Sequence, residues 1–434
     1  MSARRNKKLQ SPISNFVFNL YMLCLCSFFL HIAARVPGLG IIRPDLLMVL
    51  MITMALVSKK EQLAGRLDNL SGKALSSLIV FLLVTLPLVQ WPGSVIGSNL
   101  APFVKALVFF YFTVLIVDTR DRLKIFIFIF IACQLFRILE PLYLHQVEGY
   151  WGERAYIGGG EFTQRLGGAP HDVINPNGLA FVIATVFPFL HYLWGSWGWK
   201  WKTMYYGLIP ILLYVMVLTL SRSGFIALLI VGWNIFVKSR HKAVIVLMAA
   251  VLAGAAWTNM SDIQRDRYMS LNMSGESKSS GTAKARIDDW FNNFNVALAR
   301  PVVGHGVGTS VEATYHRRGG GKIAHILYLE VAIEMGFIGF CFYMLFIKSI
   351  YQTLMETREI VRNEGDSEES MDDQYKSDLL YDHSLLTTLT ACFWMYIVFS
   401  FAQYGVSEYH WYFLAGIIVV VNRNIKERLA GSTN

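Results

Sequence analysis

The chain alternates between long apolar runs and polar links. Apolar runs fall at about 15–34, 44–58, 74–91, 101–117, 125–139, 178–195, 204–220, 224–237, 243–257, 326–349, 384–402 and 409–421. Most approach the ~20 residues an α-helix needs to cross the hydrocarbon core of a bilayer. The pattern predicts an all-α polytopic membrane protein with about twelve spans, the shortest runs carrying the weakest signal. Two long polar segments interrupt it, 140–177 and 258–325. Three units follow: residues 1–257 hold the first nine spans, 258–325 form a long loop domain, and 326–434 hold the last three spans with an acidic link near 350–383.

Composition supports the membrane class. Hydrophobic residues make up 54% of the chain, charged residues 16%, and the mean hydropathy is +0.43. A soluble domain carries about a quarter charged residues. Arg4, Arg5, Lys7 and Lys8 precede the first apolar run, which lacks a small-residue cleavage site and so reads as a span rather than a leader. Cys24, Cys26, Cys133, Cys341 and Cys392 all lie in apolar runs, as small buried hydrophobes do.

Charge sets the expected orientation. With the N-terminus inside and the loops alternating, inner links hold Lys59, Lys60, Arg66 and Lys73, then Arg120, Arg122 and Lys124, then Lys200 and Lys202. Lys238, Arg240 and Lys242 follow, and the tail holds Arg423, Lys426 and Arg428. This is the positive-inside bias, and it accounts for most of the net charge of +9 without any nucleic-acid partner. The stretch 364–373 falls inside and reads as a solvated acidic linker.

Three polar segments are then left on the outer side: 140–177, the turn Ser221–Gly224, and 258–325. There arginine outnumbers lysine, the reverse of the inner links. Basic residues resist translocation, and the planar guanidinium fork suits bidentate contact with phosphate. An anionic, lipid-linked substrate explains both the location and the choice of arginine.

Individual residues admit more than one reading. Arg222, at the membrane boundary in Thr219-Leu220-Ser221-Arg222-Ser223-Gly224, reads as an anion ligand or as a snorkelling side chain. Arg286 and Trp290 stand four apart on one helical face, ahead of Arg300-Pro301 and a turn containing Gly304 and Gly306, whose backbone N–H groups are candidate anion donors. Asp288 and Asp289 have no neighbouring ligand cluster, so a metal site is not expected. His325, at the start of an apolar run, suits proton transfer from a hydroxyl or simple helix capping. Glu330 and Glu334, one turn apart inside the same run, are candidates to orient that imidazole or to pair with arginines. Arg154, Arg165, His171 and Asn177, around the start of the sixth run, are candidate phosphate or acceptor contacts, though ordinary turn chemistry also explains Asn175-Pro176-Asn177. His305, His316 and His410 are weaker candidates for the proton-transfer role.

Over about 175–340 the chain resembles the bacterial O-antigen ligases, with the related O-antigen polymerases and protein O-oligosaccharyltransferases. The family's Arg-x-x-x-Trp followed by Pro-x-x-Gly-x-Gly is similar to Arg286, Trp290, Pro301, Gly304 and Gly306. Its spacing of histidine and two later glycines is similar to His325, Gly336 and Gly339, with Ile326 where the family has a polar residue. Its outer Ser-Arg-Ser/Gly-Gly turn is similar to Ser221–Gly224. The resemblance implies a GT-C type glycosyltransferase of the inner membrane, with about twelve spans and a long periplasmic loop. It implies a glycan donor on undecaprenyl diphosphate, lipid A–core as acceptor, membrane lipids around the spans, and no metal or other cofactor. It further implies that Arg222 and Arg286 hold the diphosphate and that His325 is the general base. Its relatives leave a polymerase or a protein glycosyltransferase open. A transporter of anionic solutes is the rival from another class; it would favour repeated, broken helices around a midplane site, and no internal repeat is evident.

Overall fold

The computed structural model describes residues 11–158, 161–172, 174–194, 198–243, 245–247, 250, 254, 258, 265, 280–319, 326–365, 373–403 and 405–433. Of residues 155–158, 161, 280–287, 318 and 431–433 it describes the backbone alone. His325 lies outside the described residues, as do most of the 243–257 run and most of 259–279.

The other apolar runs all become helices. They are α1 (Asn15–Leu30), short α2 (Ile32–Arg35) and α3 (Leu39–Ile42), α4 (Pro44–Val57), α5 (Leu70–Thr85), short α6 (Pro92–Ser94), α7 (Leu100–Ile116) and α8 (Arg120–Glu148). Then come α9 (Pro176–Pro188), α10 (Trp199–Thr219), α11 (Arg222–Lys238), α12 (Ser280–Leu298), α13 (Ser310–Arg318), α14 (Leu327–Gly365), α15 (Asp373–Phe399) and α16 (His410–Thr433). Six helical stretches among the described residues are long and apolar enough to cross a membrane: Leu39–Val57, Leu70–Leu88, Pro92–Ile116, Arg120–Glu148, Trp199–Thr219 and Leu327–Gly365.

Local chemistry sets where these helices begin and end. Thr119 caps α8 by accepting from the Arg122 N–H, and Gly149, in the left-handed region at φ 69°, ends it. Asn175 accepts from Gly178 N–H while Pro176 starts α9. Helix α14 is broken at Gly336 (φ 65°), where a Cβ would meet the Val302 carbonyl oxygen at 2.4 Å. Helix α8 runs 29 residues, so at about 1.5 Å each it outreaches the ~30 Å hydrocarbon core.

Among the described residues the chain is mostly helical, with one β element. Beyond α8 the chain forms an antiparallel hairpin, β1 (Gly152–Gly158) and β2 (Glu161–Leu166), with Glu153 opposite Arg165. This segment has no apolar run to support a helix, so its backbone amides pair across a hairpin instead.

The interior is aromatic. Phe29, Phe109, Phe130, Tyr409 and Phe413 pack in edge-to-face and tilted pairs where α1, α7, α8 and α16 meet. Helix α5 lies on α14, α7 on α16, and α11 against α9 and α15. At the end bearing the starts of α1 and α8, buried ion pairs close the bundle. Asp118 accepts from Arg122 at 2.9 Å and from Arg66 at 3.2 Å, and Asp382 meets Arg120 at 3.0 Å and Arg428 at 2.7 Å. The hairpin, the Ser221–Gly224 turn, the loop 299–309 and the loop 400–409 gather at the other end.

Candidate functional site

A cavity of about 390 Å³ opens at that second end. Its walls come from five places in the chain: Phe29 and His31 after α1, Lys105 and Phe109 on α7, Arg137 on α8, Asn175 and Asn177 at the start of α9, and Gln403, Glu408, Tyr409 and His410 from the last link. Its lining mixes aromatic side chains with charged and amide ones, as sites for amphiphilic ligands do.

Arg137 is the buried anchor of this site. Its guanidinium grips Asp172 through Nε–H at 2.6 Å and Nη2–H at 3.0 Å, and donates to Gln134 Oε1 at 3.0 Å. His31, in the left-handed region at φ 51°, brings Nδ1 to 3.7 Å from Asp172 Oδ1. The fork-to-fork pair fixes the segment before α9 against α8, and so sets where Asn175 and Asn177 point. Lys105 and Glu408 form no ion pair among the described residues, and they face the cavity. Of these, sequence reasoning missed His31, Lys105, Arg137 and Glu408. A signal existed for His31, Lys105 and Arg137: an ionisable residue within an otherwise apolar run is a functional candidate by default.

Asn177 joins the cavity to the Arg222 turn. Its Oδ1 accepts from Arg165 Nη2–H at 2.9 Å and from Ser221 Oγ–H at 2.9 Å. Ser221 Oγ in turn accepts from Gly224 N–H at 3.1 Å and so caps α11. Arg222 is the first residue of that helix and is half-buried. Three of the expected residues, Arg165, Asn177 and Arg222, thus come together. Arg165 is buried, its Nε–H donates to the Thr219 carbonyl at 3.0 Å, and it braces the hairpin against the turn. Arg154 and His171 are exposed on the same end.

A second cluster forms around the break in α14. The turn containing Gly304 and Gly306 was expected to offer free N–H groups; they are already used. Gly304 N–H donates to Arg300 O at 3.1 Å, His305 N–H to Ile333 O at 2.9 Å, and Gly306 N–H to Glu334 O at 2.9 Å. A Cβ on Gly304 would lie 2.4 Å from Glu334 O, so these glycines serve close packing against α14. Glu330 and Glu334 are buried, and their carboxylates take the nearest backbone donors; the His325 they were expected to orient lies outside the described residues. Glu330 accepts from Gly405 N–H at 2.6 Å and Val406 N–H at 3.2 Å, and Glu334 accepts from Ser310 N–H at 3.4 Å. Neither forms an ion pair with an arginine among the described residues. Together they tie the start of α14 to the cavity loop on one side and to α13 on the other.

His305 is fully buried, donates Nδ1–H to Ile333 O at 3.0 Å, and stacks on Trp91, on which His316 also stacks. Burial holds its imidazole below the usual value, with the nearby Arg317 and Arg300 adding to the effect and the Ile333 bond opposing it. His410 lines the cavity with its ring edge-on to Phe181. Trp290 is half-exposed on α12, and Arg286 lies one turn before it on the same helix, its side chain among those not described. His325, outside the described residues, precedes Leu327, whose N–H donates to Ser400 O at 2.9 Å at the entrance to the cavity loop.

Residues 207–344 match a family model described as O-antigen ligase. The match begins inside α10 and ends inside α14, and it takes in Ser221–Gly224, Arg286, the glycine turn and His325. No curated protein matches the chain.

Proposed function

We propose that this chain is an inverting, metal-independent glycosyltransferase of O-antigen ligase type. It moves a glycan from undecaprenyl diphosphate to lipid A–core at the periplasmic face of the inner membrane. On this reading it is a GT-C type enzyme with about twelve spans and both termini cytoplasmic. The observation that carries the proposal is the polar cavity at one end of an apolar bundle, fastened through Asn177 to the Arg222 turn of the family-matched region. A lipid-linked sugar needs both parts, an apolar wall for the chain and polar groups for the head.

The chemistry is positional. Arg222 and Arg286 neutralise the diphosphate, so that it leaves with the bonding electron pair. The acceptor hydroxyl gives its proton to His325 as its oxygen attacks the anomeric carbon from the opposite face. One C–O bond forms, one breaks, and the configuration inverts. Alignment and preorganised charge supply most of the rate in such a transfer. Lys105 and Glu408, facing the cavity without ion-pair partners among the described residues, hold the polar parts of donor or acceptor.

The test is transfer from a polyprenyl-diphosphate glycan to purified lipid A–core by the protein in nanodiscs, with EDTA present. Wild type gives product, and His325→Ala and the Arg222→Ala/Arg286→Ala double variant give none. Arg286→Lys recovers little, since the bidentate fork is lost. Lys105→Ala lowers the rate about tenfold, or ~1.4 kcal/mol of transition-state stabilisation, without changing the melting temperature. Equal product from wild type and His325→Ala removes His325 as base. Product only when a second lipid-linked repeat replaces lipid A–core makes the enzyme a polymerase.

A further inference from the structure

Helix α12 divides its surface three ways. Asn293, Val296 and Ala297 are buried, the last two against Ala313, Ala332 and Ile333. Asp288 and Asn295 are exposed on a polar side. On the third side Trp290, Phe291, Phe294 and Leu298 are exposed at 42, 69, 43 and 48%. At about 100° per residue these four fall within an arc of about 100°, the width of a single apolar stripe. Leaving so many large apolar side chains in water forgoes roughly 1.5–3 kcal/mol for each that would otherwise be covered.

The stripe continues into the flanks of the spans. The Phe294 ring lies 6.5 Å from Phe337 on α14, and Ile338 and Leu345 carry exposed apolar surface onward along that helix. At its C-terminal end α12 is pinned to the end of α5 by Arg300 Nη2–H on Leu88 O at 3.1 Å. There Val84, Leu88 and Val302 are exposed as well. The apolar surface of α12 is therefore continuous with that of two helices able to cross a membrane.

We propose that α12 lies on the bilayer surface, with Trp290, Phe291, Phe294 and Leu298 seated at the boundary between lipid headgroups and acyl chains. An amphipathic helix with aromatic residues on its apolar side and polar residues opposite binds in that plane. The lipid contact stands without the proposed reaction. If the reaction holds, the contact also sets the depth of Arg286, one turn before Trp290, at the level of lipid phosphates.

The experiment uses the full chain with its native cysteines replaced, reconstituted in phosphatidylglycerol–phosphatidylethanolamine vesicles. A spin label is placed in turn at Asp288→Cys, Phe291→Cys, Phe294→Cys, Asn295→Cys and Leu298→Cys. All five positions are exposed, so the fold is expected to survive each change. At 291, 294 and 298 collision with oxygen exceeds collision with a water-soluble nickel chelate, and at 288 and 295 the order reverses. Chelate-dominated collisions at all five positions overturn the proposal, placing the stripe in water. Low collision with both reagents at 291, 294 and 298, with label-to-label distances showing a second chain, overturns it in favour of a protein partner. Because the readout is collision and not transfer, its failure is separate from failure of the proposed reaction.

Discussion

Helix α8 handles arginine differently at its two ends. Arg122 and Arg137 are fifteen residues apart, about 22 Å along the helix. Around Arg122 the donors are absorbed: Asp118, Ser11, Asn15 and the Ile13 carbonyl accept from it. The pattern extends to Arg120 and Arg428 on Asp382, and to Arg423 on the Val114 and Val117 carbonyls. Arg137 is as buried and as well paired, but it stands in the wall of a cavity that Lys105 and Glu408 also face. A buried charge without a partner is costly, so a closed network marks structure and an open polar wall marks a place kept for a ligand. Residue type does not separate the two ends; what surrounds each charge does.

The largest expected effects come from breaking the closed pairs. Asp172→Ala takes from Arg137 its carboxylate partner and should cost ~3–5 kcal/mol in thermal unfolding of the protein in nanodiscs. Asp382→Ala should cost less, because Arg120 keeps Asp378 and Arg428 keeps Glu364. The two variants should differ in activity per folded molecule, which only Asp172→Ala lowers. Equal loss in both would erase the distinction between the ends.

A smaller effect tests the link between cavity and turn. Asn177→Ala removes the acceptor for Arg165 and Ser221 and should cost ~1–3 kcal/mol, with faster amide exchange over 219–224. Unchanged exchange would show that the turn holds itself.

The smallest concerns His305. Burial lowers its pKa below the usual 6.5, so the unfolded chain takes up the proton first as pH falls. Its contribution is complete above about pH 6.5 and is lost as pH drops from there toward the folded value. Melting temperatures measured across that window should decline more steeply in wild type than in His305→Gln. Parallel curves would remove His305 from the acid sensitivity of this end.

Much of the architecture was legible in the chain. Hydrophobic runs locate helices because a span must satisfy its own backbone in lipid. Asn175-Pro176 and Ser221 mark helix starts because capping is local. That Asn177 and the Ser221–Gly224 turn are joined by a hydrogen bond is a tertiary fact that neither segment shows alone.

The placements left open have one cause. Glycine spacing at Gly304 and Gly306 looks the same whether the N–H groups await an anion or meet the carbonyls of a broken helix. Arg165 looks the same in β2 whether it faces solvent or Thr219. The sequence by itself determined the membrane class, the helical segments and the family-like motifs, since these depend on periodicity and short-range chemistry. Only the tertiary structure decided which charges are closed and which line a cavity. That follows from which of five distant segments supplies each neighbour, and the cost of burying a charge depends on that neighbour rather than on the charge itself.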